Sequence, residues 1–278
     1  MPAVDAVQER PRPRYSAWAP LPIAALVVAA ALVSLLDPAG IHAIDATGPV
    51  GVGRAWFELL VVAPALGAAG VFALRGSRRA RLVAGALLLH AASVSATLAI
   101  AMDGGALFLV ECAVLGASAF ALIDLHAALR DDRAWSWFDE RAPLRAAAVA
   151  LLAVAGACAA LWVAQSVPAA LAGAAPARLD ELRLAVGPAH VSLVLPAMAI
   201  AGVGLLRRRP AVRAFAPILL GAGTLAAAAV AVAAAVGLVR GEAVAAVPSL
   251  AMAAAVVAGG ATLGALLHRV TGARTRTR

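Results

Sequence analysis

The sequence LLVVAPALGAAGVFALRGSRRARLVAGALLLHAASVSATLAI, residues 59–100, contains two apolar runs joined by a short turn that carries four arginines. A helix needs about 20 apolar residues to cross the hydrocarbon core of a bilayer, and each run approaches that length. In lipid, every backbone donor and acceptor must be satisfied inside its own segment, which selects helices. We therefore predict a hairpin of two membrane-spanning helices.

Similar apolar runs recur along the whole chain of 278 residues. The chain is 63% hydrophobic and only 14% charged, with a mean hydropathy of +0.92, which leaves too little polar surface for a soluble globule. We predict an all-α fold, a polytopic membrane helix bundle with eight transmembrane helices. These lie near residues 18–36, 55–74, 82–102, 106–129, 146–167, 187–206, 214–239 and 246–268.

All 23 basic residues are arginines, and their positions alternate between the gaps. Four of these arginines fall in the gaps on one side of the membrane. The other nineteen fall in the two tails and in the gaps on the opposite side. The positive-inside rule then predicts cytoplasmic amino and carboxyl termini in a bacterial plasma membrane. The net charge of +8 is explained by arginines facing anionic lipid headgroups, so the bilayer is the expected partner and nucleic acid is not. No clean cleavage site follows Leu36, which favours a retained first span.

The chain is interpreted as duplicated. A shift of 132 residues carries Pro64 onto Pro196 and the hairpin arginines Arg75 and Arg81 onto Arg207 and Arg213. Four spans per copy give both copies the same orientation, a parallel repeat that some transporters use. We predict a cytoplasmic tail (1–17), a first four-helix repeat (18–129), an amphipathic connector (130–145), a second four-helix repeat (146–268) and a basic cytoplasmic tail (269–278).

The two matching prolines are predicted hinges. A proline inside a helix removes one hydrogen bond and clashes with the carbonyl four residues earlier, here that of Leu60 or Ser192. These carbonyls must face a cavity, a hydroxyl or protein, and interrupted helices in matching halves indicate a binding site. The alternative is a packing kink filled by a neighbouring helix.

Polar residues in the outer half of the bundle are the candidate ligands. Glu58 and His190 are equivalent under the shift, and Glu111 and Gln165 lie at similar depth. Such groups could bind a cation, relay protons or hold a metal such as zinc, because charge inside a span is costly. Glu58 and His190 could instead be ordinary interfacial residues, because both side chains could reach the outer membrane interface. Glu111 is the best single candidate, because its segment starts at Gly104 and Gly105, about 9 Å away at helical rise; Ser192 is added because of its carbonyl.

His90 lies near the middle of the third run, with Ser93 and Thr97 on the same helical face. A proton path, a haem ligand or an ordinary interhelical hydrogen bond would each explain this stripe. Haem usually requires a second axial ligand at similar depth, and His126, well inside the bundle's length, lies close to Arg130 at the cytoplasmic end. No cofactor is predicted, and the identity of any metal is left open.

The central gap, DDRAWSWFDERAPLR (131–145), is predicted to lie along the cytoplasmic interface, where it could dock a partner. Gly260 and Gly264 form a GxxxG motif, which would permit close contact within the bundle or in a homo-oligomer. Nucleotide-binding loops, nucleophile elbows and paired-cysteine metal motifs are absent from the sequence.

The segments RGSRRARL (75–82), LFLVECAVLGASAFALI (107–123) and LLRRRPAVRAFAP (205–217) resemble parts of a group of bacterial multi-pass membrane proteins with no assigned activity. The resemblance spans about residues 50–240 and rests on hydrophobic spacing and arginine hairpins. It implies a fold and no activity.

Three functions remain open. The leading hypothesis is a non-enzymatic, permease-like protein that binds a small solute or cation from the outer face. Glu111 would be its main charged group, and Glu58 and His190 would be symmetry-related ligands or gate residues. The alternatives are an accessory or scaffold subunit that does not transport, and a membrane-embedded metal or haem redox enzyme that uses His90, Glu111 and His190.

Overall fold

The computed structural model describes residues 14–36, 49–101, 105–171, 190–241 and 246–271, and every regular element in these ranges is a helix. The predicted outer loop beyond residue 171, most of the amino-terminal tail and residues 272–278 lie outside the described residues. The helices are α1 (Tyr15–Trp18), α2 (Pro20–Leu36), α3 (Pro49–Phe57), α4 (Ala63–Leu74), α5 (Arg78–Ala101), α6 (Ala106–Asp131), α7 (Leu144–Leu171), α8 (Leu195–Leu206), α9 (Ala216–Val239) and α10 (Ala246–His268).

Four helical stretches are long and apolar enough to cross a membrane: Gly51–Leu74, Arg78–Ile100, Ala106–Asp131 and Pro210–Val239. Shorter apolar helices cover Pro20–Leu36, Leu144–Ala160, Ser192–Leu206 and Met252–His268. The chain is therefore an all-helical protein with the features of a membrane protein. Each of the eight apolar runs predicted from the sequence overlaps helical segments of the described ranges, and the number of membrane spans stays a prediction beyond the four long helices.

Two π-helical segments stand immediately before the proline-containing helices. Glu58–Val62 joins α3 to α4, and His190–Val194 leads into α8. Because Pro64 and Pro196 have no N–H to donate, the turn before each one cannot keep the regular α-helical ladder, and a π turn accommodates the mismatch. Both proline side chains are exposed, so neither lines an internal cavity.

The helix ends that follow the prolines also match. A Schellman turn closes α4, where Ser77 N donates to Phe72 O at 3.0 Å, and another closes α8, where Arg209 N donates to Gly204 O at 2.9 Å. The left-handed residue is Gly76 in the first turn (φ 83°) and Arg208 in the second (φ 54°). The π segments, the helices after them and these turns are all related by the same 132-residue shift.

Two apolar cores lie side by side. One surrounds Leu66 and is built by α2, α4, α5 and α6, and the other surrounds Met198 and is built by α7, α8, α9 and α10. Helix α9 joins them, because it also packs against α3 and α5. Gly53 of α3 permits this approach: a Cβ at that position would lie 2.5 Å from the Cα of Ala233.

The connector between the halves lies at the arginine-rich end of the bundle and has one buried face: Ala134, Trp137 and Phe138 are buried, and its four acidic residues are exposed. It forms a 3-10 helix over Ala134–Trp137, and Trp137 and Phe138 are only 2% and 7% exposed. The guanidinium groups of Arg78 and Arg81 lie 5.2 and 5.3 Å from the Trp137 ring centroid. Burial of two large rings removes more apolar area from water than an interfacial position would.

Hydrogen bonds reinforce the contacts around Trp137. We call this cluster the basal clamp (Arg78, Arg79, Arg81, Trp137 and Thr271). The backbone N–H and Oγ1 of Thr271 both donate to the Trp137 carbonyl, at 2.8 and 3.0 Å. Arg79 donates to the carbonyls of His268 and Val270, each at 3.2 Å. The clamp thus joins the first hairpin, the connector and the end of α10.

An ion pair extends the same end of the bundle to the start of the described chain. Arg14 donates to Oδ2 of Asp131 at 2.7 Å, and this hydrogen bond raises the pKa of the Arg14 guanidinium above its usual value. The backbone N–H of Ser16 donates to Oδ2 of Asp124 at 2.8 Å. Helix α1 is thereby fixed against α6.

Candidate functional site

A buried acid–base pair lies inside the first half. Glu58 opens the first π segment and is 5% exposed, and His90 lies in the middle of α5 and is 1% exposed. The distance between His90 Nε2 and Glu58 Oε1 is 2.9 Å. The ring of Phe57 covers the imidazole edge-on, with the centroids 6.0 Å apart. The pair therefore holds a hydrogen bond away from solvent.

A second acidic group lies beside this pair. Glu111 of α6 is 2% exposed and accepts a hydrogen bond from Ser95 Oγ at 2.6 Å. The Nη1 atom of Arg54 lies 3.8 Å from Oε1 of Glu111, and Nη2 of the same guanidinium donates to Ser34 Oγ at 3.3 Å. Helices α2, α3, α5 and α6 thus each contribute one polar group.

One small cavity connects the two sets of groups. Arg54, Glu58, Ser95 and Glu111 line it together with aliphatic side chains of α2, α5 and α6. Its volume is ≈ 10 Å³, about the minimum that a single water molecule needs. In this conformation the cavity fits a water or a bare ion and has no room for a multi-atom solute.

The charges around the cavity balance when the histidine is protonated. Arg54 offsets the carboxylate of Glu111, and a protonated His90 would offset that of Glu58. Buried charges are costly unless they are paired and hydrogen-bonded, and both carboxylates here meet that condition. An arginine side chain remains protonated in proteins, so the groups at this site that can exchange a proton are the two carboxyl groups and the imidazole.

Two imidazole nitrogens are buried and have no partner among the described residues: Nδ1 of His90 and Nδ1 of His190. His190 is 6% exposed. An imidazole that uses one nitrogen for a hydrogen bond can still accept or release a proton at the other. The Nδ1 atom of His90 therefore keeps a hydrogen-bonding capacity that no described residue uses.

Other residues predicted from the sequence lie apart from this cluster. Ser192 follows His190 in the second π segment, but its side chain is exposed. Gln165 lies on α7, and the structure does not describe its side chain. The hydroxyls of Ser93 and Thr97 donate to the carbonyls of Leu89 and Ser93 in their own helix, at 2.8 and 3.0 Å. That polar stripe therefore consists of intrahelical hydrogen bonds rather than a path.

The geometry gives little support to a metal or haem centre. Within the described ranges, no three histidine, cysteine or acidic side chains group closely enough to hold a metal ion. His126 is stacked on Phe215, with the ring centroids 5.1 Å apart, and it is exposed while His90 is buried. The two histidines considered as axial ligands therefore occupy different environments.

Arg54, Ser95 and Ser34 complete the cluster, and the sequence analysis did not select them. Arg54 was counted only as one of the few arginines on the outer side. Its position four residues before Glu58 places both on one face of a helix, which is a usable signal. Ser95 and Ser34 had no such signal, because serine is common in apolar helices and both partners come from distant parts of the chain.

Comparisons of this chain with protein-family models, with curated proteins and with solved structures find no match. The geometry of the cluster and the pattern of the sequence therefore carry the functional argument.

Proposed function

We propose that the chain is an eight-span, permease-like protein of the plasma membrane that takes up a cation from the outer face at the Glu58–His90 pair, and that this cation is the proton. The observation that carries the proposal is the buried contact of 2.9 Å between Glu58 Oε1 and His90 Nε2, beside an Nδ1 atom that has no partner among the described residues. Ionisable groups inside membrane spans mark ion and proton pathways.

The size and charge of the site favour a proton over other ligands. A cavity of ≈ 10 Å³ leaves no space for a solute molecule in this conformation. Arg54 already neutralises Glu111, so a metal cation would face a guanidinium at the same cavity. A proton needs neither volume nor ligands beyond the lone pairs present on Glu58 and His90.

The architecture suggests how the site could communicate with both sides. The shared 132-residue offset of the π segments, the proline helices and the Schellman turns supports two parallel repeats of four spans. Positive charge at one end supports a cytoplasmic position for the basal clamp. In this proposal the clamp closes the cytoplasmic side, and the π segments before Pro64 and Pro196 act as hinges.

Proton movement in proteoliposomes tests the function. A potassium diffusion potential set by valinomycin should drive protons into vesicles that contain the protein and an internal pH dye. Glu58→Gln should slow this flux by roughly a hundredfold, the scale of a lost acid–base group. Glu140→Gln, which changes an exposed carboxylate, is the matched control and should leave the flux unchanged.

If transport needs a second substrate, proton flux alone could be absent, so the protonation of Glu58 is measured as well. The purified protein should show a carboxylic acid infrared band that titrates with pH and disappears in Glu58→Gln. Absence of both the flux and the titrating band would contradict the proposal, as would a flux that Glu58→Gln leaves intact.

Cysteine labelling tests the orientation. In a background with Cys112 and Cys158 replaced by alanine, Val239→Cys should react with an impermeant maleimide on intact cells. Ser136→Cys in the connector should react only after the membrane is opened. Both positions are exposed at opposite ends of the bundle, so the reverse pattern would overturn the proposed orientation.

A further inference from the structure

The two arginine hairpins have the same backbone but use their arginines differently. In the first hairpin, Arg75 lies over Phe72, Arg78 and Arg81 lie over Trp137, and Arg79 donates to the carbonyls at the end of α10. Arg81 also pairs with Asp132 at 2.6 Å. Every arginine of this turn is therefore engaged inside the molecule.

The second hairpin contains four arginines without such contacts. Arg207, Arg208 and Arg209 are exposed, and no hydrogen bond, ion pair or ring contact joins their side chains to the described part of the chain. The Nε atom of Arg213 is buried and has no hydrogen-bond partner there either. No acidic residue occurs between 205 and 217, so the sequence of the hairpin itself carries positive charge only.

Arg208 also occupies a position that favours glycine. It has φ 54° at the left-handed residue of the Schellman turn, where the first hairpin has Gly76 at φ 83°. A side chain in this conformation is strained, because its Cβ approaches the following carbonyl. The second hairpin thus keeps an arginine where the backbone prefers glycine, and its side chain makes no polar or ring contact with the described residues in return.

From these observations we infer that the hairpin Arg207–Arg213 binds the phosphate group of an anionic phospholipid. Guanidinium groups match phosphate oxygens with paired hydrogen bonds, and several around one turn can share a single phosphate. Val203 and Leu206, in the last turn of α8, are exposed apolar side chains directly before the arginines. A ligand with a phosphate head and an acyl chain fits both parts of this surface, whereas free phosphate uses only the first.

Two matched glycine substitutions test the site. Purified protein in a neutral detergent is titrated with phosphatidylglycerol, with phosphatidylcholine and with inorganic phosphate, and affinity is measured by thermophoresis. Arg208→Gly should weaken phosphatidylglycerol binding about tenfold, the equivalent of one charge-assisted hydrogen bond. It should also raise the midpoint of thermal unfolding without lipid, because the left-handed strain is removed.

Arg133→Gly is the control, because Arg133 is the other exposed arginine of the described chain with a left-handed backbone, at φ 48°. It removes the same charge from the same end of the bundle, but from a segment that contains Asp131 and Asp132. This variant should bind phosphatidylglycerol like the wild type. Equal losses in both variants would show general surface attraction and overturn the proposal. Inorganic phosphate binding as tightly as phosphatidylglycerol would overturn the assignment to a lipid.

Discussion

Oε1 of Glu58 lies 2.9 Å from Nε2 of His90, although 32 residues separate them in the chain. This contact joins the π turn before Pro64 to the centre of α5. The π turn lies between the acid and the proline and changes the direction in which the residues after it point, relative to a regular α-helix. Glu58 at the start of the turn is buried against the imidazole, whereas the side chain of Pro64, after the turn, is exposed.

Removal of one member of this pair should cost more stability than removal of both. His90→Leu leaves the Glu58 carboxylate buried without its partner, which we expect to lower the free energy of unfolding by about 3–5 kcal/mol. The double variant Glu58→Met/His90→Leu replaces the pair with apolar groups of similar size, so most of the loss should be recovered. Denaturant unfolding of four proteins (the wild type, Glu58→Met, His90→Leu and the double variant) measures this cycle, and additive losses would show that the two side chains do not interact.

The two single substitutions at the Arg54–Glu111 ion pair should lower the free energy of unfolding by different amounts. Arg54→Met strands a carboxylate that is 3% exposed, whereas Glu111→Gln strands a guanidinium that is 17% exposed and still donates to Ser34. We expect a loss of about 3 kcal/mol for the first and about 1 kcal/mol for the second, because partial exposure screens the stranded charge. Equal losses in thermal or denaturant unfolding would argue that water reaches both groups alike.

The helices could be predicted closely from the sequence because lipid imposes a simple rule. Apolar runs such as 82–102 had to be helical, and the structure has α5 at Arg78–Ala101. The π segments could not be predicted, because the sequence around Pro64 and Pro196 indicates an interrupted helix without specifying the kind of interruption. The burial of Trp137 was also missed, since its cover comes from Arg78 and Val270, which are far away in the sequence.

The candidate site was predictable only in part, for a related reason. Charged residues inside apolar runs are conspicuous, so Glu58, His90 and Glu111 were selected, and the structure places Glu58 and Glu111 on one cavity. Their partners depend on which helices meet. Ser93 and Ser95 are two residues apart on α5, yet Ser93 bonds to its own helix and Ser95 to Glu111. Only the rotation of the helix distinguishes them.

The stability of the basal clamp should depend strongly on Trp137 and weakly on Trp135. Trp137→Ala removes a ring that is 2% exposed and lies under two guanidinium groups, and we expect a loss of about 3–5 kcal/mol in the free energy of unfolding. Trp135→Ala, two residues earlier and only half-buried, should cost about 1 kcal/mol. Similar losses at the two positions in chemical unfolding would mean that Trp137 does not hold the clamp together.

Glycine-to-alanine substitutions at Gly53 and Gly67 should change stability in opposite directions. A Cβ at Gly53 would lie 2.5 Å from the backbone Cα of Ala233, so α3 and α9 must separate where the two halves meet, and stability should fall by about 1–3 kcal/mol. A Cβ at Gly67 meets nothing within 4 Å, and the gain in helix propensity should stabilise α4 by about 0.5–1 kcal/mol. Thermal unfolding of both variants in detergent measures the two signs. A stabilising Gly53→Ala would contradict the close approach of α3 and α9, and with it the packing that places Arg54 beside Glu111.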